Sequence, residues 1–422
     1  MRQHDIVIVG GGFAGTTLAR ELERRLPNQA DIALISRENY ITYTPLLSEV
    51  VGASILPGHA VAPLRQVLGR SRFYRATVTG LDLAQRRLQL DDGPGPVGFK
   101  QLVLACGITA RLDMIPGMAE HSLPLKTLGD ALALRNHILQ RLEAREISDD
   151  PATRRHLATF VVVGGGSNGV EVAGAILDLL RASRRLYPSL GDGDYRVVVL
   201  EMLDHLLEGF PVQLQGVAAR HLSGRGVEIR TEVQVAAIDS KGVELASGER
   251  LEGGTVVCTI GVTPGPLLKS LDLPKRKGYL ETKGDFSIPD HPGLWALGDC
   301  AVTPDAGSDS PCPPTAQSAV RQARHLARNL AALGQDRPTQ PFTYRSLGEM
   351  AVTGHRRGVA RVLGVNLTGF PAWLVWRGYY WSQLPTALRK TQVASQWLLD
   401  LPFPQDVTQL HLERSGTPPD SH

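Results

Sequence analysis

Two glycine-rich turns constrain the fold of this chain more than any other feature. One is VIVGGGFAG near the N-terminus, and the other is VVVGGGSNG in the middle of the chain. Each follows a run of β-branched apolar residues and precedes a helix-like pattern, an arrangement that holds a pyrophosphate through backbone N–H groups and the helix dipole. Two such turns predict two dinucleotides in one protein, with electron transfer between them as the economical reason. Their glycines are Gly10, Gly12, Gly15, Gly164, Gly166 and Gly169.

Length and charge limit the classes of protein that this chain can represent. It has 422 residues, 42% hydrophobic and 21% charged, which is enough for two or three domains with substantial cores. A net charge of +3 gives no argument for a nucleic-acid partner. Residues 1–9 enter the first strand without the features of a signal peptide, and the uncharged stretch 362–376 is too short to span a membrane.

The cysteines predict neither a metal site nor a local redox disulfide. None of them has CxxC or CxxxxC spacing, and their sparse use suits a reducing cytoplasm. They are Cys106, Cys258, Cys300 and Cys312.

Strand-like and helix-like segments alternate along the chain, which predicts an α/β fold. DIALISRENY supplies a second strand at 32–35, and residues 73–105 have the short apolar runs and turns of a β-rich excursion that returns to a parallel sheet. The second glycine turn restarts the strand–helix unit, and LWALGDCA is a further buried strand before a helix-like stretch at 314–333. We predict two Rossmann-like dinucleotide-binding domains plus a C-terminal amphipathic-helix region.

As a set, the motifs within residues 5–405 resemble the pyridine-nucleotide disulfide reductase superfamily, and within it the type II NADH dehydrogenases, or NADH:quinone oxidoreductases. In chain order, these motifs are GGGFAG, NYxxYTPLLSEVVGA, ACG, GGGSNGVEVAG, GDCA, PPTAQSAV, EMAVTGHRRGVA and AWLVW. Each motif alone is weak, whereas their order and spacing together are specific.

The resemblance implies that the first turn binds FAD, the second binds NADH, and electrons pass to a membrane quinone without proton pumping. It implies a discontinuous FAD-binding domain at 1–112 and 278–340, an NADH-binding domain at 113–277, and a C-terminal membrane-surface region at 341–422 whose tail, after Leu412, is disordered. We expect a peripheral protein on the cytoplasmic face of the cell membrane. The association of two copies stays open.

The expected FAD site departs from the family at one position. The acid that ends the second strand, against the adenosine ribose, is Ser36 here, and a hydroxyl binds more weakly than a carboxylate. Glu38 is either its substitute or, like Arg37, a plain turn residue. Asp299 of the GDCA motif supports FAD independently, because the family uses this aspartate near the ribityl or pyrophosphate group.

Close approach of the backbone is expected at the first pyrophosphate, where Gly12 and Gly15 leave no room for side chains. At the second site, Glu201 ends the strand after the glycine turn. A carboxylate there accepts hydrogen bonds from the NADH ribose and repels the 2′-phosphate of NADPH.

Three residues are predicted to act near the flavin. Glu171, which we place in the first turn of the helix after the second glycine turn, either favours the helix dipole or orients the nicotinamide and relays a proton. Gln317 matches a family glutamine at the flavin and quinone pocket. Arg321 stands where the family usually has another glutamine. It either stabilises an anionic reduced flavin or a quinone oxyanion, or is a helix-surface charge.

The stretch FPAWLVWRGYYWSQL predicts an amphipathic helix with a wide aromatic face. With the nearby charges of Arg377, Arg389 and Lys390, it suits a helix at a membrane interface. A core helix or a subunit interface is the alternative.

Three other functions share much of this pattern. They are a soluble NADH-dependent reductase with a non-quinone acceptor, a sulfide:quinone reductase using Cys106 and Cys312, and a redox-sensing flavoprotein without catalysis. The residues that we predict to contact a cofactor are Gly10, Gly12, Gly15, Ser36, Arg37, Pro45, Gly107, Gly164, Gly166, Gly169, Glu201, Gly261, Asp299 and Gln317.

Overall fold

The structure is a computed structural model that describes residues 2–91, 95–191, 193–400, 403 and 405–410. The predicted disordered tail after Leu412 lies outside the described residues. The α-helices are α1 (Phe13–Arg25), α2 (Leu47–Val51), α3 (Leu64–Val67), α4 (Met118–His121), α5 (Leu128–Ile147), α6 (Pro151–Leu157), α7 (Ser167–Ser183), α8 (Val212–Ser223), α9 (Pro266–Ser270), α10 (Ala316–Leu333), α11 (Gly369–Gln383) and α12 (Ala387–Leu399).

Short 3₁₀ turns lie at Thr44–Leu46, Pro57–Ala60 and Gly298–Cys300. The strands of the N-terminal part are β1 (Arg2–Val9), β2 (Ile32–Ser36), β3 (Tyr40–Thr42), β4 (Val61–Pro63), β5 (Arg72–Arg75), β6 (Val78–Asp82), β7 (Arg87–Leu90), β8 (Val97–Leu104) and β9 (Ile108–Ala110). Those of the middle part are β10 (Leu123–Pro124), β11 (Thr159–Val163), β12 (Arg196–Leu200), β13 (Val227–Arg230), β14 (Val235–Asp239), β15 (Gly242–Leu245), β16 (Arg250–Glu252), β17 (Thr255–Cys258) and β18 (Val262–Pro264). The remaining strands are β19 (Lys275–Arg276), β20 (Tyr279–Glu281), β21 (Leu294–Ala296), β22 (Ala301–Val302), β23 (Gly348–Gly354), β24 (Arg357–Val362) and β25 (Val365–Thr368).

The first sheet has seven strands in the order β5-β2-β1-β8-β7-β6, with β21 paired to β8. Strands β1, β2, β5, β8 and β21 run parallel, and β6–β7 forms the antiparallel excursion that returns to β8, as the sequence predicts. The apolar face of α1 packs against this sheet, with Leu18 and Leu22 fully buried.

The second sheet is entirely parallel, in the order β10-β17-β11-β12-β13. All five residues of β11 are buried because both faces of the sheet are covered. Two sheets with parallel central strands, each with a glycine turn directly after one of those strands, confirm the predicted α/β class. Strands β9 and β18 pair antiparallel where the chain passes between the two sheets.

The C-terminal part contains a sheet that the sequence analysis did not predict. Strands β23, β24 and β25 form an antiparallel sheet before α11 and α12. This sheet packs closely on α7: a Cβ built on Gly174 of α7 would lie only 2.8 Å from the Thr353 carbonyl carbon, so only glycine fits there. Among the described helices, none combines the length and the apolar character needed to cross a membrane.

Candidate functional site

The first glycine turn separates two roles of its glycines. Gly10 has φ +118°, and a Cβ built on it would lie 2.2 Å from the Ala105 carbonyl oxygen. A Cβ on Gly15 would lie 1.9 Å from the Gly10 carbonyl oxygen, so Gly15 permits helix–strand packing. The lack of room for a side chain at Gly15 therefore comes from Gly10, and a contact of Gly15 with the pyrophosphate stays a prediction. A Cβ on Gly12 would meet no atom within 4 Å and would point into open space.

The second glycine turn repeats this geometry. Gly164 has φ +108° and lies against Ile260, and a Cβ on Gly169 would come 1.8 Å from the Gly164 carbonyl oxygen. A Cβ on Gly166 would again meet nothing within 4 Å. Each turn therefore leaves one glycine beside an open space at the start of a helix, where a ligand can approach the backbone.

Both helices that follow the glycine turns begin without a side-chain cap in the part of the chain that the structure describes. Their first N–H groups are thus available to an anion. Four other helices do carry such caps. The capped helices are α5, α6, α10 and α12, with Thr127, Asp150, Thr315 and Thr386 as the respective cap residues. The turns of α1 and α7 therefore fit the pyrophosphates of two dinucleotides.

The strand-end residues differ between the two turns. Glu201 accepts hydrogen bonds from the backbone N–H groups of Gly165 (2.6 Å) and Leu203 (2.9 Å), which fix its carboxylate beside the second turn. Ser36 occupies the equivalent place, since a Cβ built on Gly11 would lie 2.7 Å from its Oγ. The first site therefore presents a neutral hydroxyl where the second presents a carboxylate.

The other predicted cofactor contacts lie in different surroundings. Arg37 is exposed and pairs with Glu38 (3.2 Å). Gly107, with φ +65°, follows β8 close to the first turn. Gly261, with φ +78°, lies between β17 and β18, where its carbonyl accepts from the Arg111 N–H (3.2 Å). Their contacts with a cofactor stay predictions.

Asp299 lies in the 3₁₀ turn at Gly298–Cys300, next to the N-terminal half of α10. Burial raises the pKa of Asp299, and the charge of Lys126 opposes that rise. Gln322 holds this turn, because its Oε1 accepts from the Gly298 N–H (2.7 Å) and its Nε2 donates to the Ser318 hydroxyl (3.1 Å). The sequence analysis assigned Gln322 no role, although its place in the PPTAQSAV helix was the available signal.

A cleft of about 740 Å³ lies between α1, α10, β23 and α11. Phe13, which follows the first glycine turn, and Ser167, which follows the second, both line it. Its other lining residues include Tyr43, Pro45, Gln317, Arg321, Tyr344, Met350, Tyr379 and Tyr380. Both turns therefore open towards one cavity, whose wall includes several aromatic rings.

Gln317 is fixed at the wall of this cleft. Its Oε1 accepts hydrogen bonds from the Tyr344 hydroxyl (3.0 Å) and the Leu347 N–H (3.0 Å). These contacts tie α10 to the segment that leads into β23. Arg321 lies one turn further along α10 and lines the same cleft, with its guanidinium 5.8 Å from the Tyr344 ring.

Glu171 is buried between α7 and the C-terminal elements. Its Oε1 accepts from the Trp376 indole N–H (3.1 Å) and the Val352 N–H (3.2 Å). It is the fifth residue of α7, so the prediction that it lies in the first turn is wrong, and an effect of the helix dipole does not explain it. Burial raises the pKa of Glu171 to about 8.

Two tryptophans of the aromatic C-terminal stretch lie in the core, so only part of the predicted wide aromatic face is exposed. Trp373 and Trp376 are 6% and 1% exposed. Arg377 is also buried; it pairs with Glu49 of α2 (3.1 Å), and its guanidinium lies 4.1 Å from the Trp373 ring centroid. The prediction that Arg377 is a charge at a membrane interface is wrong, because its partners lie inside the protein.

Other side chains on α11, α12 and the residues after them, some of them in the same aromatic stretch, are exposed and apolar. Their exposed fractions run from 40% to 66%. They are Phe370, Leu374, Trp381, Leu388, Leu398, Leu399 and Phe403. Gln383, the last residue of α11, and Pro385, between α11 and α12, line the cleft, so its wall adjoins these two helices.

The cysteines are poor candidates for redox chemistry. All four are free thiols. Burial raises the pKa of Cys258, Cys300 and Cys312 to about 11 and that of Cys106 well above its ordinary value, so the thiolate is disfavoured. Among the described residues, no group of three or more His, Cys, Asp or Glu side chains could hold a metal ion.

Comparisons with known proteins agree with this geometry. A family model described as pyridine nucleotide-disulphide oxidoreductase matches residues 4–323. The type II NADH:quinone oxidoreductase Ndh of Mycobacterium tuberculosis is 31% identical over 89% of this chain and 83% of its own length. The chain belongs to the type II NADH:quinone oxidoreductases of this family. The demethylphylloquinone reductase NdbB of Synechocystis is also 31% identical to this chain, over 93% of this chain and 95% of its own length.

Solved structures share the fold of this type II oxidoreductase. NDH2 from Plasmodium falciparum, in complex with NADH, matches with a TM-score of 0.88 and 17% identity, over 96% of this chain and all of its own. The sulfide:quinone oxidoreductase of Aquifex aeolicus matches with a TM-score of 0.74 and 16% identity, over 97% and 96% of the two chains. At such identities the likeness shows the fold alone.

Proposed function

We propose that this chain oxidises NADH and passes two electrons, through bound FAD, to a quinone. One observation carries the proposal: both glycine turns open towards the same cleft, through Phe13 at the first turn and Ser167 at the second. The FAD that these residues would hold would supply two-electron transfer from NADH to the quinone. The family membership and the quinone-reducing relatives support this choice.

The residues around the cleft supply binding, orientation and a proton. The uncapped N-termini of α1 and α7 hold the two pyrophosphates. Glu201 binds the NADH ribose, and Asp299 binds the ribityl or pyrophosphate group of FAD. Gln317 keeps the cleft wall in place. Glu171 lies behind the cleft wall, close enough to Tyr380 to act on its charge, and burial keeps it neutral up to about pH 8, so that it stores a proton near the site. The domain limits 1–112 with 278–340, 113–277 and 341–422 are part of this proposal.

Steady-state oxidation of NADH with a short-chain quinone tests the function. We expect a yellow protein with one non-covalent FAD per chain that reduces the quinone. Reduction of dyes or carrier proteins but not of quinone would favour a soluble reductase. Flavin reduction by NADH without turnover would favour a redox sensor. Faster reduction by sulfide than by NADH would favour a sulfide:quinone reductase.

Glu201 should set the preference for NADH over NADPH. Glu201→Ala removes the ribose acceptor and the repulsion of the 2′-phosphate, so the KM for NADH should rise about tenfold or more and the preference should narrow. Initial rates with both nucleotides measure this. Glu208→Ala, on an exposed acid that also lines the cleft, is the matched control. A wild-type protein that uses NADPH as well as NADH would refute this role.

Glu171 should impose a pH limit on quinone reduction. Its neutral form carries the proton, so kcat should fall as the pH rises through about 8. Glu171→Gln keeps the acceptor for Trp376 and Val352 but cannot donate the proton, and it should have a lower kcat without this inflection. A stopped-flow record of flavin reduction by NADH controls for binding. An unchanged inflection in the variant would contradict a proton-donating role.

We also propose that the exposed apolar side chains of α11 and α12 rest on a membrane surface, at the cytoplasmic face, and that a quinone enters the cleft beside them. Leu374 and Leu388 are 55% and 56% exposed. Lys390 lies near them, with its Nζ 5.5 Å from the Trp381 ring centroid. Apolar side chains beside a basic group suit an interfacial helix pair.

Changing Leu374, Leu388 and Leu399 together to Gln should release the protein from phosphatidylglycerol vesicles, because burying their exposed halves in lipid contributes about 1 kcal/mol each. Sedimentation with vesicles measures binding, and the rate with a long-chain quinone should fall more than that with a short-chain one. Leu363→Gln with Val365→Gln, on the equally exposed β24–β25 hairpin, is the control. If the triple variant sediments like the wild type, this surface does not bind the membrane.

A further inference from the structure

The cleft carries more positive charge than its carboxylates balance. Arg20 and Arg24 of α1 and Arg321 and Arg324 of α10 all line it. Glu21 pairs with Arg24 (3.3 Å) and lies 3.9 Å from Arg324. Glu21 also pairs with Arg25 (3.1 Å), so three guanidinium groups, two of which line the cleft, share one carboxylate.

Arg20 and Arg321 have no such partner. Both are half-buried, and neither pairs with a carboxylate among the residues that the structure describes. Arg321 donates one hydrogen bond to the Gln317 carbonyl (3.2 Å), which leaves most of its donors free. Glu208 and Glu349 also line the cleft, but no contact joins them to these two arginines.

The charges of both arginines act on tyrosines of the cleft wall. Burial raises the pKa of Tyr43, and the charge of Arg20 opposes the rise. Burial likewise raises the pKa of Tyr379, which Arg321 opposes. Both guanidinium groups therefore lie near aromatic rings that line the cleft, and that of Arg321 is also 5.8 Å from the Tyr344 ring centroid.

A neutral quinone gives these guanidinium groups no charge to bind. A half-buried positive charge favours an anionic ligand, and the guanidinium plane matches a carboxylate and also stacks on rings. We propose that the cleft binds a quinone that carries an ionised acidic group, such as a ring carboxylate, and that Arg20 and Arg321 bind this group. The inference rests on the proposed function, since it names the chemical class of the acceptor.

Binding of two inert aromatic probes tests the proposal without turnover. The FAD-loaded protein is titrated with 2-naphthoate and with 2-naphthamide, which differ in charge but little in shape, in lipid-free buffer at 0.15 M salt. We expect the wild type to bind 2-naphthoate about tenfold more tightly, the scale of one charge-assisted hydrogen bond. Arg20→Gln and Arg321→Gln should each reduce the difference, and the double variant should abolish it.

Arg328→Gln is the matched control, because Arg328 lies on α10, is exposed and does not line the cleft. It should keep the tenfold preference. Flavin absorbance of each variant shows that the protein is folded and loaded. The titration is followed by calorimetry and needs no electron transfer. A preference for 2-naphthoate in a protein that fails to reduce any quinone would therefore refute the proposed function but still support the anion site.

Equal affinity for the two probes would overturn the proposal, and vesicle binding would then show whether the arginines bind a lipid instead. Equal affinity of the wild type for both probes would show that the arginines bind no acidic aromatic ligand. The same guanidinium groups could instead receive the phosphate of a lipid at the mouth of the cleft. Equal probe affinity, combined with binding to phosphatidylglycerol but not phosphatidylcholine vesicles that Arg20→Gln and Arg321→Gln abolish, would assign them to the lipid.

Discussion

Gly12→Val should give a folded protein that purifies without flavin. A Cβ at Gly12 meets no protein atom within 4 Å, so the substitution should not disturb the fold. The side chain instead fills the space in which a pyrophosphate would approach the N-terminus of α1. We expect a loss of more than about nine-tenths of the bound FAD, since a blocked pyrophosphate site loses several charge-assisted hydrogen bonds. The ratio of flavin to protein absorbance measures this loss.

Gly166→Val is the matched control, because the second turn has the same geometry. This variant should keep its flavin and lose NADH binding, so dithionite but not NADH should bleach it. Far-UV circular dichroism should be the same for both variants and the wild type. Full flavin occupancy in Gly12→Val would refute the assignment of the first turn, and a colourless Gly166→Val protein would exchange the two assignments.

The features that the sequence predicts well are those fixed by local geometry. A strand, a glycine turn and a helix are consecutive in the chain, so the amino-acid sequence around Gly10 and Gly164 is enough to locate both turns. Glu201 follows directly from the position at which its strand ends. Gly15 shows the limit even here, because the motif requires glycine there for packing on Gly10, a reason that the sequence alone does not separate from contact with a ligand.

The features that the sequence analysis missed depend on partners far away in the chain. From the sequence alone, Arg377 is interpreted as a charge at a membrane interface, because its partner Glu49 lies 328 residues earlier in the chain. Gln322 has a role only because the turn at Gly298 folds against α10. The buried place of Glu171 likewise depends on Trp376, 205 residues later. Aromatic and basic residues in a helix have the same pattern at a membrane surface and in a core.

The burial of Arg377 leads to the largest stability effect that we expect. Its guanidinium pairs with Glu49 (3.1 Å), lies 4.0 Å from Asp400, and stands between the rings of Trp373 (4.1 Å) and Trp397 (4.6 Å). These contacts join α2 to α11 and α12. Arg377→Ala leaves two buried carboxylates without their cation, which should cost about 3–5 kcal/mol of the free energy of unfolding. Urea unfolding of the FAD-loaded protein, followed by circular dichroism, measures it.

The stability deficit of Arg377→Ala should become smaller as the pH falls. Burial already raises the pKa of Asp400 to about 6, and removing Arg377 raises it further, so the folded variant binds more protons near neutral pH than the unfolded chain does. Its stability should therefore rise as the pH falls from 7.5 to 5.5, which narrows the gap to the wild type. Arg361→Ala, at an exposed site of β24, is the control and should change stability by less than about 0.5 kcal/mol. If Arg377→Ala unfolds at the same urea concentration as this control, or if its deficit grows at low pH, the ion pair does not hold the C-terminal helices in place.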